Sequence, residues 1–208
     1  MFKQICITSG LVLALAFAGC ASSGQDRSKA SVASLKQTHA QLDTASRHVD
    51  GALAAMNSLQ YGPDLQKKFN TFTKEVKGLE SEANAVRKSA AAMRSRSADY
   101  IKKWQSEMSK TGNAELQQAA ETRRAAIQSR FGEITNAHDA VRDAYTTFHS
   151  DLVNLRTYLS NDLTEAGIKA SAPAMKKAND DATILRQKTA DYRTILRDVA
   201  GDMTGAQM

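Results

Sequence analysis

Four apolar registers run along the chain. Each advances by alternating steps of three and four residues, the period of helices that bury one stripe against one another. The first register is Val32, Leu35, His39, Leu42, Ser46, Val49, Leu53 and Met56, and it predicts a helix over residues 28–60. The second runs from Leu65 through Phe69, Phe72, Val76, Leu79, Ala83, Val86, Ala90, Met93, Ser97 and Tyr100 to Trp104 and Met108, predicting a helix over 64–110. The third runs from Leu116 through Arg123, Ile127, Ile134, His138, Val141, Tyr145, Phe148 and Leu152 to Leu159, predicting a helix over 113–162. The last is Met175, Ala178, Ala182, Leu185, Thr189, Tyr192, Leu196 and Val199; it predicts a helix over 172–200 and leaves 201–208 as a frayed tail.

Breakers fall between the registers. Gly62-Pro63 offers a left-handed glycine cap followed by a proline suited to a first helical turn, and Gly112-Asn113 offers a glycine C-cap followed by an N-cap. The stretch from Asn161 to Pro173 reads as a loop, with Ser171-Ala172-Pro173 as a helix start. Short connections favour antiparallel neighbours. The expectation is an all-α fold, an antiparallel four-helix bundle or coiled coil with two long central helices. Because the outer helices are shorter, residues 96–130 of the central pair have only each other, and they should project as a hairpin of about 25 Å.

The amino terminus has a different pattern. Lys3 precedes an apolar run from Ile5 to Ala18, which ends in Phe17-Ala18-Gly19-Cys20. This is the layout of a secretory signal peptide, shorter than the ~20 apolar residues of a membrane span. It resembles the lipobox of bacterial lipoproteins, with Phe17 where leucine is usual. The resemblance implies cleavage of a signal over residues 1–19 and lipidation of Cys20. Residues 20–27 then form a lipidated flexible tether, and several acyl chains would attach the protein stably to a membrane. With Cys6 removed and Cys20 acylated, the mature domain has no thiol for a disulfide or a metal. Ala21 after the lipid cysteine resembles the default signal for the outer membrane in enterobacteria. The expected location is therefore the outer membrane with the domain facing the periplasm, and the inner membrane is the alternative.

Further residues extend the resemblance. Tyr100 through Trp104 with Glu107, the run Glu121-Thr122-Arg123-Arg124, and Leu155 through Leu163 are similar to a family of bacterial lipoproteins defined only as domain of unknown function 2959. The likeness follows most of the mature chain and departs most in its last quarter. It implies an envelope location and a helical coiled coil, and it brings no activity and no catalytic residues.

The sequence contains no phosphate loop, no His-Glu-x-x-His and no Glu-x-x-His. No cofactor and no enzymatic activity are expected. His39 and His138 lie in seams, where polar residues fix register. Asp180-Asp181 reads as a solvated face, Arg123 as a snorkelling seam residue, and Tyr100 and Trp104 as hairpin packing.

The chain carries a formal charge of +6, roughly +5 once Lys3 is lost. Most of that surplus sits on the projection. Arg94, Arg96, Lys102, Lys103, Lys110, Arg123, Arg124 and Arg130 are set against Asp99, Glu107, Glu115 and Glu121. These basic residues form a candidate contact with an anionic surface. Export argues against nucleic acid as a partner.

The reading that follows is a lipid-anchored, non-catalytic scaffold or interaction protein. It would be held to the membrane through Cys20, with an envelope protein as a possible partner and a homodimer through the long helices as a further possibility. The alternative is a binding module holding a small apolar ligand, a lipid or a metal between the helices, lined by His39, Ser46, His138 and Thr189.

Overall fold

The computed structural model describes residues 23–204. The signal segment 1–19, Cys20 and the last four residues of the chain lie outside the described residues. Four helices make up the structure: α1 Gly24–Asn57, α2 Leu65–Met108, α3 Ala114–Asn161 and α4 Glu165–Thr204. α1 packs on α2, α2 on α3, α3 on α4 and α4 on α1, and no diagonal pair meets. The fold is an all-α antiparallel four-helix bundle.

Polar pairs along the α1–α4 seam show its register. Arg193 meets Asp43 at 2.5 Å, Arg186 meets Asp50 at 2.6 Å, and Asn179 exchanges side-chain amide hydrogen bonds with Asn57 at 3.0 Å. Both helices advance by one heptad between rungs, in opposite directions. The heptad read from the apolar positions thus also orders the flanking polar ones.

The predicted registers form the core. Leu35, Met56, Phe72, Phe148, Leu159 and Tyr192 are among the fully buried side chains. Several boundaries differ from expectation. α1 begins at Gly24 instead of 28, because Ser23 and Asp26 form a capping box. In it, Ser23 Oγ accepts from the Asp26 N–H at 3.2 Å, and the Asp26 carboxylate accepts from the Ser23 N–H at 3.2 Å. The expected tether over 20–27 is shortened accordingly.

At the far pole the expected Asn161–Pro173 loop is mostly helix. α4 begins at Glu165 and carries Pro173 in its interior. The two turns ahead of the proline bury Gly167 and Ser171 and pack Ile168 against the core. Tertiary burial there outweighs the preference of proline for a first turn. Residues 201–204 continue α4 with Met203 buried, so the frayed tail expected from 201 is instead helix as far as Thr204.

Two glycines behave differently from expectation. Gly112 has no positive φ, and Gly62 (φ +153°) is the one glycine with a positive φ among the described residues. The 109–113 turn is closed instead by the backbone N–H groups of Ser109 and Lys110, bonded to Gln105 and Glu107 carbonyls at 3.0 and 3.2 Å. Asn113 is the predicted N-cap, its side chain accepting from the Leu116 N–H at 3.0 Å.

Gly167 is required for a different reason. A Cβ there would lie 2.1 Å from the Asp162 carbonyl oxygen, a backbone atom that cannot swing away. Gly132, inside α3, has nothing within 4 Å of its Cβ position. Gly167→Ala should therefore destabilise the chain by about 1–3 kcal/mol. Gly132→Ala should stabilise it by about 0.5–1 kcal/mol through helix propensity alone. Urea denaturation of the two variants beside the parent measures both.

Candidate functional site

Two features stand apart from the packed seams. The first is the hairpin at the pole where α1 begins and α4 ends. Ser97 on α2 and Ile127 on α3 are buried, and no residue from 98 to 126 is. At 1.5 Å per residue, the α3 side of this projection extends about 20 Å beyond Ile127. α1 climbs part of the way, because Arg27 pairs with Glu107 across the α1–α2 seam. The first part of the projection is thus three helices wide, and only its end is two. Along it the apolar register can be only half-covered. Tyr100 and Trp104 stack with ring centroids 5.5 Å apart and stay partly accessible, and Leu116 is 56 % exposed.

The eight predicted contact residues divide into two groups. Arg124 is nearly covered and folds back on its own helix, its Nε donating to Glu121 at 3.1 Å and a second nitrogen to Gln128 at 3.1 Å. Arg130 bonds to Asp202 of α4 at 3.2 Å and pairs with Glu133. These two tie the hairpin to the bundle and offer little outward charge. Arg94, Arg96, Lys102, Lys103, Lys110 and Arg123 are exposed. Cys20 lies outside the described residues.

The second feature is a cavity of about 80 Å³ inside the bundle, lined from all four helices. Its origin lies in the registers. Ser46, Ala83 and Thr189 occupy seam positions of α1, α2 and α4 at one level of the bundle, where longer apolar residues would fill the centre. Leu42, Leu79, Val86, Val141 and Leu185 form the apolar walls above and below them.

His138 of α3 also lines the cavity. It is buried, at 7 % exposure, and its Nδ1 has no hydrogen-bond partner. Its ring meets Tyr192 edge-on at 5.9 Å, and the Tyr192 hydroxyl is also buried and unpartnered. Thr189 is satisfied locally, donating to the Leu185 carbonyl at 2.8 Å. Of the four polar seam residues expected at an internal site, Ser46, His138 and Thr189 come together. His39 does not; it lies on the half-buried flank of α1 with Nδ1 3.5 Å from Asp43.

Burial holds the His138 imidazole below its ordinary pKa, and the Arg94 and Arg142 charges act in the same direction against the weaker pull of Asp139. Tyr145, whose hydroxyl donates to the Leu79 carbonyl at 3.1 Å, is pushed up to about 12 by burial and by Glu80. Its ring stacks on His149 at 5.4 Å. Among the described residues no group of three metal-ligating side chains is assembled.

One charged cluster was not legible in the sequence. Lys177 of α4 donates to Asp151 of α3 at 2.5 Å and to Asp181 at 2.8 Å. The two carboxylates hold the Lys177 ammonium up to about 12. Asp181, expected on a solvated face with Asp180, is largely covered by this clasp, whereas Asp180 pairs outward with Lys176. The signal was present only as a Lys-x-x-x-Asp spacing, one helical turn and common on any helix.

The depressed pKa of His138 makes stability depend on pH. Below the ordinary value of 6.5 the unfolded chain takes up a proton that the folded chain refuses. Stability should therefore fall as pH drops through that value. His138→Leu should show a shallower fall, the remainder coming from His149, whose pKa burial also lowers. Thermal melts of both proteins across that range measure the difference.

None of the curated proteins and none of the solved structures compared with the chain matches it. A family profile does, and its match covers residues 17–191, from the last residues of the apolar leader to the last third of α4. The chain belongs to that family, described as protein of unknown function (DUF2959).

Proposed function

We propose that the chain is a lipid-anchored envelope protein and a non-catalytic scaffold whose projecting hairpin makes the contacts. The observation that carries this reading is the absence of any buried side chain from 98 to 126, at the pole where α1 starts. Such a hairpin adds nothing to the core and presents most of its surface outward.

The anchor assignment rests on Phe17-Ala18-Gly19-Cys20, which falls within the stretch matched by the family profile. Cys20 precedes the Ser23 cap by three residues, a span of at most about 11 Å. A membrane holding the lipid would therefore lie level with the hairpin end. Lys102, Lys103 and Lys110 would then sit beside the lipid surface, where each contributes about 1 kcal/mol to contact with anionic headgroups. Salt weakens that contribution. Four net charges orient the hairpin; the acyl chains supply the attachment.

A second reading is favoured by a different observation. The cavity at the Ser46 level, with an unpaired histidine nitrogen on its wall, suits a binding module that holds a small molecule between the helices. The two readings occupy different parts of the bundle and are compatible.

Two measurements test the scaffold. Cys20→Ala should abolish acyl labelling and move the protein out of the membrane fraction. A photo-crosslinker at Thr111 should yield adducts with lipid, peptidoglycan or an envelope protein in cells, while the same group at Ile184, exposed on α4, should yield few. Equal or absent labelling at the two positions would overturn the hairpin as the contact element.

A further inference from the structure

The cavity at the middle of the bundle has a size, a wall chemistry and one unsatisfied group, and together these restrict what it can hold. Its volume of about 80 Å³ exceeds the ~10–15 Å³ that one water needs. It is far below the ~300–1,000 Å³ of sites for drug-sized ligands. A long acyl chain does not fit, and a molecule of a few heavy atoms does. The leucine and valine walls require that molecule to be apolar over most of its surface.

The exception is the buried His138 Nδ1, which has no partner. A buried nitrogen left unpaired costs about 1–3 kcal/mol, and that cost is removed by a ligand that bonds to it. Burial and the charges of Arg94 and Arg142 keep the imidazole neutral, so it carries one donor and one acceptor nitrogen. A hydroxyl satisfies either, because it both donates and accepts.

The charged rim does not call for an ionic ligand. Arg142 is engaged by Asp139 and Asp143 at 2.8 and 2.9 Å, and Arg186 by Asp50 at 2.6 Å. A carboxylate drawn further in would lose its water for a single hydrogen bond.

We propose that this cavity is a binding site for a small neutral molecule with an apolar body and one hydroxyl, an alcohol or a phenol, whose hydroxyl bonds to His138 Nδ1. The site rests on the binding-module reading and adds the class of ligand to it. Access runs along the rim where Arg87, Arg142 and Thr146, exposed on α2 and α3, reach the lining.

Phenol and toluene are near-isosteric probes that differ in the hydroxyl. Titration calorimetry of the full chain should show phenol binding more tightly, although toluene is the more hydrophobic. His138→Leu should lower the phenol-to-toluene affinity ratio about tenfold, the worth of one buried hydrogen bond. Ala83→Leu, which fills the cavity from α2 and leaves His138 in place, should abolish both. If neither probe binds the parent chain, the cavity holds water alone and the binding-module reading falls with the proposal. If toluene binds at least as well as phenol and Ala83→Leu removes both, the cavity is a ligand site and the hydroxyl assignment is overturned. Phenol binding that survives Ala83→Leu undiminished would place the ligand elsewhere and also overturn it.

Discussion

The structure depends on one constraint: each helix carries a continuous apolar stripe, and the number of helices present at each level decides how much of it is covered. Where all four run side by side, the stripes close into a dry core around residues such as Phe72, Phe148 and Tyr192. Toward the pole where α4 and then α1 end, coverage falls to three helices and finally to two. The same pattern of leucines, alanines and aromatics that is fully buried in the middle becomes half-buried at Tyr100 and Trp104 and exposed at Leu116. The hairpin follows from unequal chain lengths, with no change in helical pattern along it.

Coverage also governs the charges. Basic residues that reach a neighbouring acid, as Arg130 reaches Asp202 and Arg186 reaches Asp50, hold helices in register. Those on the hairpin have fewer neighbours to reach. The outward positive field at that pole is what remains after the bundle's own ion pairs have formed. Exposed pairs of this kind contribute little energy singly. Their arrangement at heptad intervals along α1 and α4 gives direction and register more than strength.

Much of this was legible in the sequence because helical periodicity survives without knowledge of partners. The registers identified the seams, and three of the four polar residues in them, Ser46, His138 and Thr189, proved to share one cavity. The level at which they meet was not legible, because it depends on how four helices slide along one another. His39 illustrates the limit: its register position is equivalent, yet its level and rotation place it beside Asp43. The helix ends were read less well. A proline in the first turn is a local preference, and α4 sets it aside because burying Gly167 and Ser171 against the bundle is worth more. The Ser23–Asp26 box extended α1 into a stretch whose small polar residues resemble a linker.

The level of Ser46, Ala83 and Thr189 has a mechanical consequence. Protein interiors resist compression because they are filled to crystal-like density, and a void is volume that vanishes when the chain unfolds or when something enters it. The bundle's centre is thus its most compressible point. Hydrostatic pressure acts on voids of this kind, so the waist, between two well-filled ends, is where the four helices yield first, and any occupant of the void stiffens it.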